Sequence, residues 1–286
     1  MAFKLSEGRM PATPWLCDDQ TMLETILLTI VVLGYAAGST LLLLDAFGVR
    51  REPAWLALGA GVVALIAHAG LIFLPAMAGQ PLSTNFFHAL SLVSWAMATV
   101  MTVTSARNRA RVLLAMIWPI ALLAAVAAAL SQAPPADAIS GWQIRLHVVI
   151  ALSAYALLSI AALQALVVAW QEGALRRKHF SATLRALPPL SAMEELLFQY
   201  IVAGFAMLTL TVLSGALFID DWMAQHLVHK TVLTLLAWVV FGGLIFGRWK
   251  FGWRGRTAVN WTLVGMLVLL LAFFGSKFVL EIVLGR

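Results

Sequence analysis

Eight long apolar segments, near residues 23–45, 54–76, 86–105, 112–131, 146–169, 197–219, 229–247 and 260–283, dominate the sequence. Each can cross a hydrocarbon core of about 30 Å as a helix rising about 1.5 Å per residue. A membrane strand would need only about 10 residues of alternating polarity, whereas these segments are apolar throughout. Lipid offers no water to an unpaired backbone amide, so each segment must close its hydrogen bonds within itself. The fold class expected is therefore all-α, a polytopic membrane bundle of about eight transmembrane helices. Composition excludes the soluble alternatives, because 62% of the 286 residues are hydrophobic and only 11% are charged, against about 25% charged in an ordinary globular domain. The single Cys17 leaves no disulfide framework, cysteine zinc site or C-x-x-C redox pair within the chain.

Orientation follows from the basic residues, which collect in cytoplasmic loops. One side holds thirteen of the nineteen: Arg50, Arg51, Arg107, Arg109, Arg111, Arg176, Arg177, Lys178, Arg185, Arg248, Lys250, Arg254 and Arg256. The other holds Lys4, Arg9, Arg145, Lys230, Lys277 and Arg286. Both termini are expected outside, with residues 1–22 a short translocated tail and 23–286 a single membrane domain. The net charge of +6 is then a topology signal facing membrane lipid, and nucleic acid is not an expected partner. The longest loop, 171–195, carries Arg176, Arg177 and Lys178 before Pro188 and Pro189. Its basic run reads as an anchor on anionic lipid.

This topology places five of the six histidines in the outer half. His88, His147, His226 and His229 lie near the outer ends of their spans, and His68 lies about 4.5 Å outward of the middle of the second span. His179 falls in the basic loop. A histidine at a helix end is often only an interfacial polar residue, which is the ordinary reading of His88 and His226. His68 differs, because an ionisable group deep in a span requires a partner, a cavity or a metal. Tyr155 follows His147 by eight residues, about 80° round the same helix. Among ligands for outward histidines in an interior poor in carboxylates, haem leads, since imidazoles ligate its iron and aromatic side chains such as Trp95, Phe87, Phe205, Trp238 and Phe241 can line its slot. No H-E-x-x-H metalloprotease motif occurs, and hard-cation or proton pathways would need buried carboxylates that the spans lack.

The stretch His147 to Leu158 (HVVIALSAYALL) resembles a helix of the membrane-embedded cytochrome c assembly family, the haem-handling subunits of bacterial and plastid synthetases. Gly204 to Gly215 (GFAMLTLTVLSG) is similar to the next helix of that family. Lys230 to Arg248 aligns on its seventh-span pattern through Lys230, Trp238 and Arg248, and Gly252–Arg256 and Phe273–Leu280 resemble its last loop and helix. The family's tryptophan-rich "WGxxWxWD" segment is missing: the chain reads Asp220-Asp221-Trp222 before His226 and His229. Phe246 stands where a membrane histidine of the family is expected. The pattern is closest to the short accessory branch of the family.

The resemblance implies a haem-handling protein of cytochrome c assembly in the bacterial inner membrane. It binds non-covalent, b-type haem without independent catalysis and works with cytochrome c maturation proteins. His147 matches the family's outer histidine. The expected axial pair is His68 and His147 between the second and fifth spans, with His88 and His229 as second-choice ligands and Tyr155 and Trp238 as further haem-lining residues. The shallower pair His147 and His229 remains a rival. The alternative function is a membrane regulator that binds a haem-biosynthesis enzyme through loop 171–195.

Overall fold

A computed structural model describes residues 14–49, 53–78, 85–105, 111–131, 141–178, 184, 187–218 and 225–275. These form eight helices: α1 (Pro14–Ala46), α2 (Ala54–Met77), α3 (Phe86–Ser105), α4 (Arg111–Leu130), α5 (Trp142–Arg176), α6 (Leu190–Phe218), α7 (Gln225–Phe251) and α8 (Gly255–Leu270). A single π turn over Leu271–Gly275 extends α8. All eight are long and apolar enough to span a membrane, so the molecule is the expected polytopic helix bundle, and no strand occurs among the described residues.

The helices overrun the apolar segments. Helix α1 begins at Pro14, a residue suited to a first turn because its missing N–H has no helical acceptor there. Residues 14–22 of the expected tail are therefore helical. Helix α5 runs to Arg176, past the apolar limit near 169, and an ion pair of 2.7 Å between Arg176 and Glu172 one turn earlier supports its end. Hydropathy marks where the chain leaves lipid, whereas a helix continues until its hydrogen-bonding pattern is broken. The last expected span, 260–283, is described only as far as Gly275.

The packing divides the bundle into two groups of four. Helix α1 packs on α2 and α4, and α3 closes the first group against α4 and α2. Helix α5 packs on α6 and α8, and α7 closes the second group against α8 and α6. The groups meet chiefly where α3 packs on α5. Further contacts join them: Tyr200 Oη lies 3.2 Å from Thr104 Oγ1 and donates to Met101 Sδ at 3.2 Å, and the Phe86 and Phe274 rings meet edge to face at 5.6 Å.

In lipid the hydrophobic effect does not drive helices together, so close approach at small residues does. Helix α1 carries Gly34 and Gly38 one turn apart, a small-xxx-small stripe. A Cβ on Gly34 would lie 2.8 Å from Ala64 Cβ, and one on Gly38 would lie 2.6 Å from the Trp118 ring of α4. Gly61 of α2 faces the same indole from the other side. Trp118 is fully buried and stacks on Tyr35 at 6.3 Å, so one large ring fills a slot that only glycines leave open.

Gly61→Val would push a side chain into the Trp118 ring. It is expected to destabilise the bundle by at least about 1–3 kcal/mol. Trp118→Ala, which empties the slot, is expected to cost about 3–5 kcal/mol. Thermal unfolding in detergent, followed by loss of the monodisperse peak in size-exclusion chromatography, checks both.

Candidate functional site

The histidines occupy different parts of the two groups. His68 is fully buried in the first group, with Nδ1 3.3 Å from Tyr35 Oη of α1 and Nε2 2.9 Å from Ser91 Oγ of α3. Trp95 of α3 donates its Nε1–H to the Leu65 carbonyl of α2 at 3.1 Å, which holds the two helices in register beside the histidine. The cost of burying an imidazole in lipid is thus met by two hydroxyl partners. Both ring nitrogens are occupied, so ligation of a metal by His68 would require the loss of one of these bonds.

His147 sits on the second turn of α5 and points into the seam with α6. Its Nδ1 lies 2.9 Å from Ser214 Oγ, and the Ser214 hydroxyl donates to the Thr211 carbonyl at 3.1 Å. A Ser214 hydroxyl that donates to Thr211 can accept from His147, an arrangement that puts the imidazole proton on Nδ1. Among the described residues none bonds to Nε2. Gly215 gives the ring its room: a Cβ there would lie 3.3 Å from His147 Cε1. The Phe218 ring, one turn beyond Ser214 on α6, meets the Trp142 indole of α5 at 6.1 Å, and Trp142 is 67% exposed.

His88 is half-buried at the start of α3. Its backbone N–H and its Nδ1 both approach Asn85 Oδ1, at 2.9 and 2.7 Å. This is a helix N-cap extended to the imidazole, because one amide oxygen accepts both donors. His229 is exposed on α7. His179 lies outside the described residues, as does the side chain of His226.

Of the expected lining residues, Tyr155 donates to the Leu269 carbonyl of α8 at 2.7 Å. Trp238 donates to Thr209 Oγ1 at 3.0 Å and stacks on Phe205 at 5.7 Å. These bonds tie α5 to α8 and α7 to α6. The expected deep pair is not drawn into one seam, since His68 bonds to α1 and α3 and His147 to α6. Helix α2 packs mainly on α1 and α3, and α5 on α6, α8 and α3. Among the described residues no group of three or more His, Cys, Asp or Glu side chains could hold a metal ion.

Sequence reasoning did not single out Ser214, Gly215, Phe218 or Trp142 as companions of His147, nor Tyr35 and Ser91 as partners of His68. The signal for the first set was present, because Leu213-Ser214-Gly215 ends the α6 stretch whose resemblance to the family was noted. What it lacked was a pairing across 67 residues.

The arrangement at His147 leaves one imidazole nitrogen that could hold a metal or cofactor. An imidazole that ligates iron through one nitrogen is characteristically oriented by a hydrogen bond from the other. Here that bond is made to Ser214, no described residue bonds to the second nitrogen, and the ring packs against Gly215.

Comparison with known proteins bears on the same residues. A family model described as "Cytochrome C assembly protein" matches residues 56–284. The inner membrane protein YpjD of Escherichia coli K12 is 32% identical over 244 residues, covering 82% of this chain and 90% of its own. An uncharacterised 28.8 kDa protein of Azospirillum brasilense is 33% identical over 177 residues, covering 59% of this chain and 65% of its own. The cytochrome c biogenesis protein CcsA of Prochlorococcus marinus NATL1A is 21% identical over 228 residues, covering 67% of this chain and 72% of its own. No solved structure gives a significant match. With eight membrane-spanning helices and a family match across most of its length, the chain belongs to the cytochrome c assembly protein family.

Proposed function

We propose that this protein handles haem for cytochrome c assembly at the outer face of the inner membrane, with His147 as the axial ligand the chain supplies. The observation that carries the reading is the setting of the His147 ring: Nδ1 on Ser214, no described residue on Nε2, and Gly215 making room for the ring at Cε1. The neutral imidazole with one bare nitrogen is the form that binds iron. Trp142 and Phe218 lie at the mouth of the same seam and offer an aromatic surface of the kind a porphyrin packs against. The topology expected from the basic loops puts this mouth outside.

Haem bound there would supply the iron and the vinyl groups that a cytochrome c acceptor needs. The protein's own part is to hold and orient. Ser214 fixes the tautomer and angle of His147, and Gly215 sets how closely the ring approaches α6. His147 would hold the haem at the end of the bundle, where a maturation partner could take it. His68, with both nitrogens engaged, holds α1, α2 and α3 together in this reading.

Reduced-minus-oxidised spectra of the purified protein after haem supplementation check the assignment. Wild type is expected to give a Soret and α band, and His147→Ala to lose them. Ser214→Ala is expected to weaken haem binding by about 10- to 100-fold, the usual cost of losing the group that orients a ligand. His68→Ala is expected to unfold at a lower temperature while keeping the spectrum of whatever fraction remains folded. Loss of the bands in His68→Ala with His147→Ala unchanged would overturn the assignment. In cells, deletion of the gene is expected to lower covalent cytochrome c. A change in early haem precursors with cytochrome c unaltered would favour the regulatory alternative through loop 171–195.

A further inference from the structure

A second feature, at the opposite end of the bundle from His147, is unused by this reading. Within the eleven residues Phe246 to Arg256, four are aromatic and four are basic (FGRWKFGWRGR). The chain leaves α7 at Gly252, whose φ of 67° is left-handed and whose N–H bonds to the Arg248 carbonyl at 3.1 Å, and it enters α8 at Gly255. The connection is therefore only three residues long. Arg248 braces it, donating to the Trp253 carbonyl at 3.1 Å with its guanidinium 4.5 Å from the centre of the Phe198 ring. Glu194 of α6 accepts the Gly255 N–H at 2.9 Å. The turn is held rigidly, and Arg248 is consumed in holding it.

The other three cations are not. Lys250, Arg254 and Arg256 are exposed and make no ion pair with any described residue. Beside them the aromatic rings form a continuous series: Phe246 to Trp249 at 6.3 Å, Phe246 to Phe251 at 6.2 Å, Phe251 to Trp253 at 6.1 Å and Trp253 to Trp261 at 5.2 Å. Trp249 is 81% exposed and Phe251 66% exposed. Rings so exposed at the end of an apolar span sit at the depth of the headgroups, where one side of each is apolar and the other wet.

We propose that this turn is a binding site for anionic phospholipids, with Lys250, Arg254 and Arg256 on the headgroup phosphates and Trp249 and Phe251 seated between the upper acyl segments. Charge complementarity selects this occupant. A zwitterionic lipid brings its own cation beside the phosphate and leaves the three side chains unneutralised, whereas an anionic lipid does not. A soluble phosphate would satisfy the charges and leave the aromatic series without a partner. The site ties the end of α7 and the start of α8 to the leaflet they face, at a turn that the brace on Arg248 keeps in one shape.

The test is native mass spectrometry of the full-length protein released from bilayers of equal phosphatidylglycerol and phosphatidylcholine. Wild type is expected to carry phosphatidylglycerol in excess of its bulk share. The excess held at this turn is expected to fall about fivefold for each charge removed, and so to drop to what the other basic loops hold in the variant carrying Lys250→Gln, Arg254→Gln and Arg256→Gln. The variant carrying Lys230→Gln, a cation at the other end of α7, is expected to retain it. Wild type alone supplies a second reading, since the excess should decline as ionic strength rises from about 0.05 to about 0.5 M. Equal retention by the triple variant and Lys230→Gln, an excess indifferent to salt, or displacement of the lipid by millimolar inorganic phosphate would overturn the proposal. None of these outcomes depends on haem.

Discussion

The structure rests on how closely α1, α2 and α4 approach one another around Trp118. A hydrocarbon solvent is as apolar as the side chains, so contact area alone does little to hold these helices together, and dispersion contacts at short range must do it. Gly34, Gly38 and Gly61 remove the side chains that would keep the backbones apart. The indole then fills the space completely. With α1 this close to α2, the Tyr35 hydroxyl reaches His68, and the stacking of Tyr35 on Trp118 holds it there. The buried polar cluster is a consequence of the glycine approach rather than a separate design.

The same logic explains why the histidines differ. A polar group inside a bundle must find its partner among neighbouring helices, and the number of partners it finds decides what chemistry remains to it. His68 finds two hydroxyls and is saturated. His147 finds one, and among the described residues its other nitrogen has no partner. The two rings look alike in hydropathy and composition. Their difference comes from a serine on α6 and from a tyrosine and a serine on α1 and α3. The expected haem position between the second and fifth spans rests on histidine depth and on the family resemblance of His147, neither of which gives direction around a helix; the bonds these rings make lead to different helices.

Much of the architecture was legible in the chain. The eight apolar runs identify the eight helices, because lipid permits no other closure of the backbone over some 20 residues. The stretches around His147, Gly204 and Lys230 carry enough pattern to indicate the family that the match over residues 56–284 establishes. Helix ends were less legible. Helix α1 starts at Pro14 and α5 continues to Arg176, since polar residues at a membrane surface can extend a helix after the hydropathy has dropped. The division into two groups of four left no repeat visible in the sequence, because apolar residues of similar size pack interchangeably and four-helix adjacency does not demand a shared pattern.

The sequence by itself determined the membrane-spanning helical character, the number of spans, the asymmetry of basic charge and the family. These depend on local composition and on the spacing of residues within one helix. Tertiary structure alone decided which imidazole nitrogen is open, which glycines matter and which cations are left unpaired at the turn between α7 and α8. Each of those depends on side chains tens of residues apart, brought together only once the helices have chosen their neighbours.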